Sequence, residues 1–206
     1  MESVANAPVE RKKIHPQKFA MWMAIGAIFM MFAGLTSAYV IRKSQPNWRF
    51  YHLPSTFTIS TIVILLSSIT MFLGVRAFKK HQTLVYRRWI TLTLILGVSF
   101  CLLQFLGFYQ LYHTIQQVNT NDGGLLNSYR TVTLSGSPSE SFLFVIAWTH
   151  LAHILGGIIA LIIVFLTAFR RNKKVYSATG LEVVATYWHF VDVLWIYLFV
   201  FFLLNQ

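Results

Sequence analysis

The sequence predicts an all-α polytopic membrane protein: a bundle of five transmembrane helices with its amino terminus inside and its carboxyl terminus outside. Three observations carry that prediction. Hydrophobic residues make up 56% of the 206 residues and charged ones 11%, about half the charged share of a soluble domain. The apolar residues gather in five runs, at about 18–41, 55–78, 89–112, 141–169 and 181–204, each near or above the roughly 20 residues that take a helix across about 30 Å of hydrocarbon. Of the 17 Lys and Arg, 13 flank the runs on one side and 4 on the other, which places the amino terminus in the cytoplasm by the positive-inside rule. Five helices apolar on every side would need a far larger core to be soluble.

Residues 1–17 form a polar, cytoplasmic amino-terminal segment, and 18–206 form the transmembrane domain. A cleaved signal peptide has an apolar core of about 7–15 residues, shorter than the first run, so that run is a retained helix. Within it, Gly34 and Ala38 stand four apart beside Ala33 and Ser37, a face small enough for another helix to approach. Met21, Met23, Met30 and Met31 are spread around the helix without histidine neighbours, which favours packing over copper ligation. The second run lies between Pro54 and the basic residues Arg76, Lys79 and Lys80. All five prolines (Pro8, Pro16, Pro46, Pro54, Pro138) fall outside the five runs, so the helix interiors keep their hydrogen bonds.

In the third run, Gln104 is a single buried amide expected to bond to a neighbouring helix. The following stretch, His113 to Glu140, contains "NTNDGG" and "SGSPSES", the composition of an exposed excursion. Trp48, Tyr51, Tyr109 and Tyr112 are expected in an outer aromatic belt, and Tyr86, Trp89 and Tyr176 in an inner one.

The net charge of +11 collects in collars at the run ends, which argues for membrane topology and against a nucleic-acid partner. Cys101 is the sole cysteine, so neither an internal disulfide nor a thiolate metal cluster can form. No phosphate loop, nucleophile elbow or His-Glu-x-x-His signature occurs.

The last two runs carry the candidate functional residues. Glu182, His189 and Asp192 recur at offsets of seven and three, so they point the same general way from one helix. In "THLAHILGG", His150 and His153 share a face three apart, and Ala152, Gly156 and Ala160 recur every four residues as a helix-packing ridge. Antiparallel neighbours joined by a short loop bring the two polar faces to matching depth. The expected arrangement is a buried hydrogen-bond network of His150, His153, Glu182, His189 and Asp192, satisfied also by Tyr187 and Trp188. A metal or haem site using His150, His153, His189 and Asp192, in a free-standing metalloenzyme or transporter, is the alternative. A proton path is a third reading.

The string "YWHFVDVLWIYLF", preceded by Glu182, resembles the closing helix of subunit III of the haem-copper oxidases, and "FVIAWTHLAHILGG" resembles that family's penultimate helix. "FAGLTSAYV" and "CLLQFLGFY" are similar to earlier family helices. The resemblance covers about Phe19 to Leu204 and points to the short five-helix bacterial form of cytochrome c oxidase subunit III. It implies a non-catalytic subunit of a proton-pumping terminal oxidase in a bacterial inner membrane, serving aerobic electron transport. The partner would be the catalytic subunit I, which carries the haem and copper, with other oxidase subunits and bound phospholipid around it. This chain would hold no haem or metal, and its paired histidines, Glu182, His189 and Asp192 would form a structural network. Where the family has intramembrane glutamates, this sequence has Ile28 and Gly107, which weighs against proton handling by the chain itself.

Overall fold

A computed structural model describes residues 16–44, 54–121, 138–169 and 178–205. They form five helices: α1 Pro16–Lys43, α2 Thr56–Lys79, α3 Thr83–Asn121, α4 Pro138–Phe169 and α5 Ala178–Leu204. All five contain a stretch long and apolar enough to cross a membrane. The expected helices are therefore all present, and no strand occurs among the described residues. Residues 1–15 of the polar amino-terminal segment lie outside the described residues, as do Trp48, Arg49, Tyr51, Arg130, Tyr176 and the basic cluster Arg170, Arg171, Lys173 and Lys174.

Local chemistry sets the helix ends. Pro16 and Pro138 are the first described residues of α1 and α4, and a helix's first turn tolerates proline because the amide there has no intrahelical partner. α2 closes on a Schellman motif: the Gln82 amide donates to the Ala77 carbonyl at 3.1 Å and the His81 amide to Phe78 at 3.0 Å. His81 holds the left-handed position of that motif at φ 57°, normally taken by glycine. Only Lys80, His81 and Gln82 then separate α2 from α3, so the two run antiparallel.

α3 differs from expectation. It starts at Thr83, six residues before the expected 89, and continues to Asn121, turning nine residues of the expected excursion from His113 into helix. The segment "HTIQQVNTN" has no Gly or Pro before Gly123, so nothing stops the helix when it passes the apolar run.

Ion pairs and hydrogen bonds at the two ends establish the directions. Lys18 of α1 and Lys79 of α2 both meet Glu182 near the start of α5, and Arg87 of α3 reaches the Ala168 carbonyl of α4. These groups mark the basic end. At the other end Lys43 donates to Asn205 at 3.1 Å, and Thr56 to Gln110 at 2.6 Å.

Helices α2, α3, α4 and α5 enclose the main core, built on Phe57, Ile64, Met71, Ile90, Phe100, Ile154, Leu161, Trp188 and Trp195. α1 lies outside it. Between α-carbons it comes within 8 Å of α4 and α5 alone among the described residues, and a second cluster joins its Phe32 and Tyr39 with Leu111 of α3 and with Leu143, Ile146, Leu194, Leu198 and Phe202. In lipid such contacts stabilise through van der Waals packing and hydrogen bonds, because exchanging lipid tails for apolar side chains releases no water. Met23, Met30 and Met31 face outward from α1; of the small-residue face, Gly34 and Ser37 are exposed and Ala33 and Ala38 half-buried among the described residues. Tyr86 is a correction to the inner belt: it is buried, packing on Phe78 at 5.1 Å between ring centres. Tyr109 is exposed, as a belt residue would be.

Candidate functional site

The five predicted residues lie on α4 and α5, but among the described residues their polar atoms do not form one network. They make separate local arrangements. Glu182 sits one turn into α5 at the basic end, accepting from Lys18 at 2.6 Å and Lys79 at 2.8 Å. One carboxylate thereby ties α1, α2 and α5. The expected partners, imidazoles or Tyr187 and Trp188, are not the ones it takes.

His189, seven residues on, presents Nδ1 to the Ser68 hydroxyl of α2 at 2.7 Å. The Asp192 carboxylate lies 4.0 Å from the same nitrogen, beyond hydrogen-bond range. Asp192 itself is 2% exposed, and its oxygens receive no hydrogen bond from the described residues. The step of 60° from His189 turns it from the helix's outer stripe into the core.

On α4, His150 is 1% exposed and stacks on Trp195, with ring centres 5.3 Å apart and planes 22° apart. Neither of its nitrogens has a hydrogen-bond partner among the described residues. His153 bonds within its own helix: Nδ1 lies 2.7 Å from the Thr149 carbonyl, and since a carbonyl only accepts, Nδ1 carries the proton. Tyr187 donates to the His153 carbonyl at 3.0 Å. Phe32 of α1 packs edge-on to both rings, at 6.2 Å and 5.7 Å. The two histidine positions thus form a seat for aromatic rings.

No three His, Cys, Asp or Glu side chains group closely enough to hold a metal ion among the described residues. His150 is covered by Trp195 while His189 turns to α2, so the cluster required by the metalloenzyme reading is not assembled and that reading is not favoured.

Sequence reasoning missed the role of the α2 hydroxyls. Its hydroxyls accept from the other helices in a ladder: Ser60 from Gln104 at 3.0 Å, Thr61 from the Trp195 indole at 3.1 Å and Ser67 from the Trp188 indole at 3.1 Å, with Ser68 beside His189. The first of these gives Gln104 its expected neighbouring-helix partner. The signal was available in "TISTIVILLSSIT", six hydroxyls within one apolar run. Hydroxyls in hydrocarbon turn inward to find partners.

The small-residue ridge is placed differently from expectation. Ala152 and Gly156 are exposed and Ala160 half-buried, while the adjoining Gly157 is buried under Trp188. Trp188 needs that space because its other edge meets Gly97 of α3. Ile28, in place of the expected glutamate, packs beside the α1 cluster, and Gly107 lies under the Phe57 ring.

No family model matches the chain. Among curated proteins it is 31% identical over 178 residues to the cytochrome c oxidase subunit 3 of Corynebacterium diphtheriae, an alignment spanning 83% of this chain and 79% of that protein. It is 28% identical over 199 residues to the probable cytochrome c oxidase subunit 3 of Nocardia farcinica, covering 91% and 90% of the two chains. A probable quinol oxidase subunit 3 of Staphylococcus aureus is 27% identical over 191 residues, covering 88% and 85%. With likeness at that level along nearly its whole length and five membrane-length helices, the chain belongs to the oxidase subunit 3 family, whose relatives here include both cytochrome c and quinol oxidase subunits.

Proposed function

We propose that the chain is the non-catalytic subunit III of a proton-pumping haem-copper terminal oxidase in a bacterial inner membrane. The observation that carries this is the likeness to subunit 3 proteins over most of both partners' lengths. The chain takes part in the enzyme only through the complex. In this reading it packs directly on the catalytic subunit I, which holds the haem and copper, and phospholipids fill the remaining surface. The amino terminus faces the cytoplasm, in keeping with the 13-to-4 distribution of Lys and Arg. The roles of Glu182, His150, His153, His189 and Asp192 are structural: they tie or seat helices and carry no chemistry.

The test is purification of the tagged chain from its native membrane in mild detergent. A haem-bearing large subunit co-purifies, and the chain afterwards separated from it shows neither a Soret band nor bound metal. One equivalent of metal that stays with the lone chain and disappears on His153→Ala overturns the proposal.

A further inference from the structure

Helices α1 and α2 come nowhere within 8 Å of each other between α-carbons among the described residues, yet both pack on α5. A stripe of α5 therefore lies open between them. Its residues, at alternating steps of four and three, are Glu182, Thr186, His189, Val193, Ile196 and Val200, each partly or well exposed. The Lys18–Glu182–Lys79 pairs cross the groove at its basic end, and Ser68 of α2 flanks its middle.

The floor of this groove holds one polar atom with unmet capacity. His189 gives Nδ1 to Ser68. Its Nε2 makes no hydrogen bond to the described residues and is not among the buried polar atoms, so it opens onto the groove from a side chain 36% exposed. Depth decides what can meet it. His189 lies about 4 Å from the middle of the Thr179–Leu204 span along the helix axis, at about 1.5 Å per residue. Lipid phosphates and esters lie at the edges of the hydrocarbon, about 15 Å from its centre. Acyl chains offer no donor or acceptor, and a polar atom left bare in hydrocarbon is costly.

We propose that the groove between α1 and α2 is the seat of a transmembrane helix from another oxidase subunit, one that places a hydroxyl, amide or carboxyl side chain against His189 Nε2. This rests on the reading of the chain as an oxidase subunit and names the face through which it is held. Val193 and Ile196 supply the apolar contact on one side of the imidazole and Thr186 a small surface on the other. His189 acts as a positioning residue. Its bond to Ser68 occupies the inner nitrogen, and the outer nitrogen sets the register of the incoming helix.

The experiment uses the assembled complex, with a photo-crosslinking amino acid placed at Val193 in the groove or at Leu102, 61% exposed on α3. Capture of another oxidase subunit from Val193 is expected. Retention of the chain on detergent washing is measured alongside for His189→Leu, His189→Gln and Ser68→Ala. His189→Leu is expected to lower retention about fivefold, the scale of one interhelical hydrogen bond in a membrane, while His189→Gln and Ser68→Ala stay close to wild type. Lipid adducts alone from Val193, with a subunit captured from Leu102, put the docking face elsewhere and overturn the inference while leaving subunit membership intact. Equal losses in Ser68→Ala and His189→Leu overturn it as well, since the bond inside the chain then explains both. A chain that purifies alone and captures nothing from either position removes the oxidase reading together with the groove's occupant.

Discussion

Trp188 of α5 lies so close to Gly157 of α4 that a β-carbon there would stand 3.1 Å from its indole ring. The same indole comes within 2.9 Å of a β-carbon built on Gly97 of α3 and donates to Ser67 of α2. One side chain thus fixes the spacing of four helices. Gly157→Ala and Gly97→Ala are expected to force the indole off its seat, at about 1–3 kcal/mol as for overpacked cores. Gly156→Ala, next door, meets only the Tyr187 hydroxyl at 3.7 Å and is expected to be silent. Thermal release of the chain from the purified complex reports the contrast; equal effects at 156 and 157 contradict it.

Glu182 holds two lysines whose side chains are 45% and 59% exposed. Each such pair is worth about 0.2–1 kcal/mol, so the gain lies in joining α1 and α2 to one helix. Glu182→Gln is expected to speed hydrogen exchange in the first turns of α1. High salt should do the same to the wild-type protein and add little to the variant.

Trp195 donates to Thr61 while stacking on His150. Trp195→Phe and Thr61→Val each remove the bond and keep most of the packing. A double-mutant cycle is expected to give a coupling of about 0.6 kcal/mol, typical between membrane helices. A coupling near zero would mean that the indole is held by stacking alone.

Arg87 donates from Nε to the Ala168 carbonyl at 2.8 Å and lays its guanidinium over Phe169, 5.2 Å from the ring centre. It caps the end of α4 with a planar group that lysine cannot imitate. Arg87→Lys is expected to fray the last turn of α4, which hydrogen exchange of residues 166–169 would report; an unchanged rate there contradicts it.

His81 adopts the left-handed conformation at the end of α2, which costs a residue with a β-carbon about 1–2 kcal/mol. His81→Gly is therefore expected to stabilise the α2–α3 hairpin by about 1 kcal/mol, seen as later thermal release of the chain from the complex.

The helices were legible because a bilayer demands long apolar runs, and nothing subtler is needed to find them. The common face of Glu182 and His189 was legible too, since an offset of seven nearly closes two helical turns. Their partners were not. Lys18 and Glu182 are 164 positions apart, and nothing in either neighbourhood encodes that tertiary register. Asp192 shows the limit of periodicity, because a rotation of 60° separates the groove floor from the core. Gly156 and Gly157 show another: a Gly-Gly pair offers two frames for close approach, and only the position of Trp188 selects between them. The hydroxyls of α2 are visible in the sequence, but inside an apolar run nothing assigns them partners, and those on α3 and α5 follow only from the assembled helices.

The packing of α1 also bears on how the chain is made. α1 is made before the two helices that it approaches within 8 Å between α-carbons, α4 and α5. Until those are synthesised it lacks these docking surfaces, so the hairpin of α2 and α3 forms while α1 waits in the lipid. A nascent chain arrested before residue 178 would insert α1 yet leave it unmoored on its α5 side, and closure of the bundle awaits the synthesis of α5.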